Sequence, residues 1–306
     1  MGYGGMNRKQ GDIISIRDIE NPTLKNDGFE IHKCENQQLI TYLVIEFYNR
    51  LLLQAYKLGI VAVFKYREYG DVITPKELDD LVQAVNQVNK SSVDFAVQEL
   101  RECPSFFRFT GEEVLLHASR ILCCPIELLK AHIDGILVNL PSTSQRLYKF
   151  HAENHYYPYR KSFVNIWIPL VRPKSATNGT MIVKHRGHHR NYDFVEYSGY
   201  DKVEGESTSE DEFLYQFEIP ESQMDGLSDI LVDLDVGEAL FFSYNLPHKS
   251  TMNTADSPSY ALVIRVYDYR GDLTLSDRTN VRPLTAEAAR GGFPGMRILD
   301  PTRNTR

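Results

Sequence analysis

The sequence predicts a mainly β protein with packed helices, in which a double-sheet jelly roll, or double-stranded β-helix, follows a helical N-terminal region. Three observations predict it. Apolar residues recur at helical spacing through the first 130 or so positions, and after Asp134 the chain changes to short runs rich in Val, Ile, Tyr and Phe, broken by Pro, Gly, Asn and Ser. The third is composition: 18 Tyr and 15 Phe against one Trp suit an all-β pocket whose rings offer apolar area and a hydroxyl.

From Gln37 to Gly59, Leu39, Leu43, Phe47 and Leu51 share one side of a long helix, and Gly59 is its C-terminal stop. Thr74-Pro-Lys-Glu77 spells an N-cap, a first-turn proline and a reciprocating Glu, which predicts a helix running to about Asn89. Further helices are expected at Val93 to Cys103, and from Thr110 as a cap to Cys124, with Pro125 as the interruption. The expected strands are Ile136 to Leu140, Arg146 to Tyr156, Phe163 to Val171, Thr180 to Lys184, Phe213 to Ile219, Ile230 to Asp233, Glu238 to Tyr244 and Tyr260 to Tyr269. Strands of that number and length suggest two sheets in a jelly roll. The acidic stretch Asp201 to Glu212 reads as a solvated loop. The expected organisation is a helical region over 1–132 packed on a core over 133–275, then an irregular, arginine-rich arm over 276–306.

A net charge of -7 argues against sequence-independent nucleic-acid binding, which needs clustered Lys and Arg. Cys34, Cys103, Cys123 and Cys124 lack metal-finger spacing, and two of them are adjacent, so a reduced cytoplasmic setting is expected rather than a disulfide framework. Met1 to Asp12 has no apolar signal core, and no apolar run is long enough for a membrane helix.

In an extended segment residues two apart face the same way, so within Leu147-Tyr-Lys-Phe-His-Ala-Glu153 the side chains of Lys149, His151 and Glu153 share a side. A His and a carboxylate so placed hold a divalent metal facially when a third ligand comes from a neighbouring strand. Two His and one carboxylate, with half the coordination sphere open, are the ligand set of non-haem Fe(II) oxygenases. His248, in Asn245-Leu-Pro-His-Lys-Ser250 just past an expected strand, is the candidate third ligand. His-x-Glu alone is a weak signal, because such triplets arise by chance.

The surrounding motifs add to it. His151-Ala-Glu-Asn-His-Tyr-Tyr-Pro-Tyr-Arg160, then Thr177-Asn-Gly-Thr-Met-Ile-Val183, Val236-Gly-Glu-Ala-Leu-Phe-Phe242 and His248-Lys-Ser-Thr-Met-Asn253 resemble the phytanoyl-CoA hydroxylase family of 2-oxoglutarate oxygenases over roughly residues 140 to 270. The resemblance implies Fe(II) held by His151, Glu153 and His248, with 2-oxoglutarate as cosubstrate beside O2. It further implies release of succinate and CO2 and hydroxylation of an unactivated C–H bond in a small-molecule substrate. Two departures stand out: the family usually has Asp where Glu153 stands, and its cosubstrate-anchoring Arg falls about eleven residues after the distal His, where this chain has Ser259.

The metal with its three ligands keeps one positive charge while 2-oxoglutarate brings two negative ones, so the far carboxylate needs a separate cation in a dry pocket. Arg265, inside an apolar strand, is the nearest candidate by its permanent charge and bidentate fork, unless it sits at a strand edge against Asp268 or Glu238. Lys149 is the second candidate, for the cosubstrate or an acidic substrate, unless it snorkels to water. Asn165 and Trp167, on one face of the next strand, are expected walls of the cosubstrate site. His155 is expected at the rim. His185, His188 and His189, beside Arg186 and Arg190, read as a surface turn or a basic patch for an anionic substrate rather than a second metal site. Other readings of the same β-roll are a cupin-like sugar isomerase or epimerase working by acid and base, and a non-catalytic binding module.

Overall fold

The computed structural model describes residues 13–60, 64–89, 92–93, 96, 99–100, 102–142, 147–155, 163–198 and 215–268. The acidic stretch and the C-terminal arm expected from sequence lie outside the described residues.

Helices α1 (Leu24–Asp27), α2 (Gln37–Lys57), α3 (Pro75–Val88), α4 (Pro104–Phe109) and α5 (Leu116–Leu122) come mostly from the first half of the chain. In α2, Leu39, Leu43, Phe47 and Leu51 are all buried, as their spacing predicts. Each such side chain contributes about 1.5–3 kcal/mol. Asn36 does not cap this helix with its own side chain; instead Glu113 accepts the backbone N–H groups of Glu35 and Asn36, at 2.9 and 2.8 Å. Thr74 and Glu77 form the predicted capping box at α3. Of the helix expected over Val93 to Cys103, residues 93, 96 and 99–100 are helical. The last helical stretch differs from expectation at its start. It begins after Cys103 with Pro104 at the first helical position, and Thr110, expected as a cap, opens a π-helical turn over Thr110–Leu115 within a continuous helix.

The strands are β1 (Ile14–Ser15), β2 (Phe29–Lys33), β3 (Leu129–Asn139), β4 (Phe163–Pro169), β5 (Met181–Lys184), β6 (Val195–Ser198), β7 (Tyr215–Glu218), β8 (Asp229–Leu231), β9 (Glu238–Ser243), β10 (His248–Ser250) and β11 (Ser259–Asp268). They form a five-stranded antiparallel sheet ordered β2-β9-β4-β11-β3, a four-stranded sheet ordered β1-β8-β5-β10 and the separate ribbon β6-β7. Among the described residues the sheets stay open, so the structure is mainly β with helices and shows no closed barrel. β2 was not expected; it lies in the part of the chain read as helical and pairs with β9 at the edge of the larger sheet.

The two faces of the larger sheet have different neighbours. Val164, Ile166 and Ile168 of β4, Ala239 and Phe241 of β9, and Tyr260, Leu262, Ile264 and Val266 of β11 pack with the helices in the main core. The alternate residues, including Trp167, Leu240, Phe242 and Ala261, pack with Met181, Val183 and Ile230 of the smaller sheet in a second core. With both faces covered, every residue of β4 is buried. Arg172 locks α3 onto this layer: its guanidinium donates to both oxygens of Asp79, at 3.0 and 2.5 Å, while the Tyr260 hydroxyl donates to Asp79 Oδ1 at 2.8 Å. The candidate site lies on the inner face, between the sheets.

One expected strand is absent. Over Arg146 to Tyr156 the described residues contain only an isolated bridge at His151 and a 3₁₀ turn at Glu153–His155. The turn closes because the N–H of His155 bonds to Ala152 O and that of Asn154 to Tyr244 O, which takes the chain out of the ladder.

Candidate metal centre

His151 and His248, 97 residues apart in sequence, are joined by reciprocal backbone bonds: the N–H of His151 donates to His248 O at 3.0 Å and that of His248 to His151 O at 2.9 Å. This bridge sets the two imidazoles 4.2 Å apart between ring centroids. Glu153, in the turn that follows, brings Oε1 to 3.9 Å from His151 Nε2 and 3.6 Å from His248 Nε2. One ligand atom from each residue thus lies within 4.8 Å of the others, and all three side chains are buried. Among the described residues no other group of His, Cys, Asp or Glu converges in this way.

The outer nitrogens fix which atoms face the centre. His151 Nδ1 bonds to the backbone oxygen of Lys149 at 2.7 Å, and His248 Nδ1 to that of Leu246 at 2.9 Å. A carbonyl can only accept, so each Nδ1 carries a proton, which leaves each Nε2 as the ring nitrogen turned to the centre. Burial, reinforced by the neighbouring His248, holds the His151 imidazole well below the ordinary histidine range, so it stays neutral and able to bind a cation. Two imidazole nitrogens and one carboxylate oxygen fit a divalent transition metal with open positions.

Glu153 Oε2 accepts a hydrogen bond from Arg265 Nη2 at 2.6 Å. Arg265 stands on the inner face of β11, a central strand, in register with Asn165 of β4. The edge pairing with Glu238 does not occur, because Glu238 is bound by Arg17. Burial pushes the guanidinium down to about 9, which leaves it charged at neutral pH. Asn165 is buried, and among the described residues neither its Oδ1 nor its Nδ2 has a hydrogen-bond partner. A buried amide with both ends unmet costs about 1–3 kcal/mol unless a ligand or water satisfies it. This feature of the pocket fits an oxygen-rich molecule lying beside the triad.

Residues 54–259 match the sequence model of the phytanoyl-CoA dioxygenase family (PhyH). The chain belongs to that family. As a member it is a non-haem iron oxygenase dependent on 2-oxoglutarate, and the histidine–glutamate–histidine centre and the orphaned Asn165 fit the metal and the keto acid that such enzymes hold. No curated protein matches the chain. Among solved structures it is similar to EvdO2 from Micromonospora carbonacea var. aurantiaca complexed with 2-oxoglutarate, at 16% identity and a TM-score of 0.47, covering 84% of this chain and 92% of that one. It is also similar to SnoK, a non-haem alpha-ketoglutarate-dependent carbocyclase from nogalamycin biosynthesis, at 16% identity and a TM-score of 0.48, covering 89% and 95%.

The remaining sequence-predicted residues of this dioxygenase-family chain fall as follows. Trp167 is buried on the inner face two positions beyond Asn165. Lys149 reaches Glu218 Oε2 at 3.3 Å with about a third of its side chain exposed. His155 lies against Phe194 and Phe217. Burial, only partly offset by the Tyr192 backbone, pushes it down to about 4. The turn of His185, His188 and Arg190 is largely used internally, bonding to Asp27, Lys25 O, Gln223 O and Asp225 O. A buried cation that the sequence reading did not single out is Lys174, whose ammonium sits 5.5 Å from the Trp167 ring. The available signal was Ser259, a small residue where the family has an arginine.

Proposed function

We propose that this protein hydroxylates an unactivated C–H bond of a small-molecule substrate while 2-oxoglutarate leaves as succinate and CO2, with the two open sheets acting as a double-stranded β-helix core. The observation that carries the reading is the buried convergence of His151 Nε2, His248 Nε2 and Glu153 Oε1, with each outer nitrogen already bonded. When bound, iron with O2 and the keto acid supplies the oxidant. The chain's share is placement. His151, Glu153 and His248 hold the metal on one side, and Arg265 orients the carboxylate so that Oε1 rather than Oε2 faces the histidines. Asn165 offers a donor and an acceptor to the cosubstrate, and Trp167 walls it. Phe242, edge-on to His248 at 5.0 Å, and the stacked pair Phe163 and Tyr244 keep water from the reacting atoms.

Retention of a carboxylate ligand favours hydroxylation over halogenation, because the carboxylate fills the position that a halide would take. Lys149 and the basic residues of the turn from His185 to Arg190 are the cationic groups that would favour an anionic substrate. The division into a helical region over 1–132, an oxygenase core over 133–275 and an arm over 276–306 is part of the proposal, as is a cytoplasmic setting. The latter accords with four free cysteines, three of them buried. Among the described residues no helix is long and apolar enough to cross a membrane.

The test is anaerobic addition of Fe(II) and then 2-oxoglutarate, followed by succinate assay against candidate substrates. The expected result is the visible charge-transfer band of a chelated keto acid in the wild type and its loss in Glu153→Ala. Succinate formation by Glu153→Ala at the wild-type rate, in a metal-controlled assay, excludes Glu153 as a ligand.

A further inference from the structure

Lys174 is 1% exposed, which is unusual for an ammonium without a counter-ion. Its Nζ donates to Gly179 O at 2.9 Å and to Ser259 Oγ at 2.6 Å. Among the described residues its partners are these two neutral oxygens and the face of Trp167. Ser259 in turn donates to Asn178 O, so its hydroxyl is oriented with a lone pair toward the lysine. A third N–H of the ammonium remains for another acceptor. A charge kept this dry calls for an anion, and none of the residues described here supplies one.

The position is on the inner face that carries the metal centre. Arg265, bound to Glu153, is in register with Asn165; Trp167 follows two residues along β4, roughly 7 Å further on, and Lys174 lies against that ring. The orphaned Asn165 amide and the Trp167 face therefore lead from the triad to Lys174. Meanwhile both cations expected from sequence already face carboxylates: Arg265 meets Glu153, and Lys149 meets Glu218.

We propose that Lys174, supported by Ser259, receives the far carboxylate of 2-oxoglutarate, and that Arg265 is a positioning residue for Glu153. The inference rests on the oxygenase reading above. Serine at 259 leaves the space that a longer cationic side chain from the same strand would fill, and Lys174 enters it from the loop after β4. Burial pushes the free ammonium down to about 7, so an arriving carboxylate raises its proton affinity and the binding event takes up a proton above that pH.

The experiment measures two affinities separately: Co(II) by calorimetry, and 2-oxoglutarate by anaerobic titration of the Fe(II) charge-transfer band. Lys174→Met is expected to bind Co(II) within about twofold of the wild type while 2-oxoglutarate weakens about 30-fold or more, the scale for truncating one partner of a buried charge pair. Ser259→Ala, the milder variant, is expected to weaken 2-oxoglutarate several-fold, and Lys174→Ala combined with Ser259→Arg to recover most of the loss. Calorimetry at pH 8 in two buffers of different ionisation enthalpy is expected to show proton uptake with 2-oxoglutarate in the wild type and none in Lys174→Met. Unchanged 2-oxoglutarate affinity in Lys174→Met, or in Ser259→Ala should the first variant fail to fold, overturns the assignment while leaving the oxygenase reading intact. No charge-transfer band in the wild type overturns that reading and this inference with it.

Discussion

Arg265 Nη2 lies 2.6 Å from Glu153 Oε2 with both side chains buried, so the carboxylate of the metal centre is held from behind by an arginine of the inner sheet face. Removing the arginine leaves Glu153 charged, buried and without this donor, a change that typically costs about 3–5 kcal/mol. Arg265→Leu is expected to lower the denaturant midpoint accordingly and to weaken Co(II) at least tenfold, with 2-oxoglutarate affinity falling only as metal occupancy falls. A variant that keeps wild-type metal affinity and loses 2-oxoglutarate alone would assign Arg265 to the cosubstrate instead.

How much of this was legible in the sequence depended on range. The ligands could be named because His151-Ala-Glu153 and the distal His248 carry their chemistry in residue type and motif. Their local structure could not, because alternation at Lys149, His151 and Glu153 suits a strand, whereas the backbone bonds from Asn154 to Tyr244 and from His155 to Ala152 that impose the turn are set by tertiary contacts. β10 is three residues long, below what a period of two can reveal, although it positions His248. The partner of Arg265 lies 112 residues away, beyond any local pattern. The helices were clearest where caps and periodicity agreed, as at Thr74 and Glu77, and least clear at Thr110, where a good capping residue sits inside a helix.

His155 follows two residues after Glu153 yet packs as an aromatic. It lies 4.4 Å from Phe194 and 6.3 Å from Phe217 between ring centroids, and its depressed pKa of about 4 makes it neutral at working pH. His155→Phe is therefore expected to keep one Co(II) per chain and to change stability by less than about 1.5 kcal/mol, as volume-conserving swaps do. Loss of metal stoichiometry in this variant would mean that the second histidine ligand has been misidentified.

Gly179 shows why the Thr-Asn-Gly segment is built as it is. Its φ is +77°, and a Cβ there would stand 2.9 Å from Asn139 Nδ2 and 3.2 Å from Asn253 Cβ. Asn253 is itself committed, donating to Asn139 O and Ser257 O. Gly179→Ala is expected to cost about 1–3 kcal/mol by chemical denaturation. Because Gly179 O is an acceptor for Lys174, 2-oxoglutarate affinity should fall with it while metal affinity holds. A neutral Gly179→Ala would show that the turn relaxes and that the close approach is not required.

The buried ammonium of Lys174 gives the fold a pH dependence whose sign is opposite to that of a salt-bridged lysine. Its pKa is lowered from 10.5 to about 7 by burial, and the groups packed on it are the Trp167 ring from β4, Ser259 Oγ from β11 and Gly179 O before β5, none of which titrates in that window. Between about 7 and 10.5 the unfolded chain therefore holds more protons at this residue than the native chain, so stability climbs as pH rises across that interval and is lowest below 7, where the native ammonium is fully charged. Lys174→Met removes the contribution, and its stability is expected to exceed the wild type's most at pH 6 and to converge with it toward pH 10. Saturating 2-oxoglutarate with Co(II) should flatten the wild-type climb, because a bound carboxylate restores the proton affinity that burial removed. Parallel stability curves for the two proteins from pH 6 to 10 would show that Lys174 stays charged throughout, with an anion already beside it.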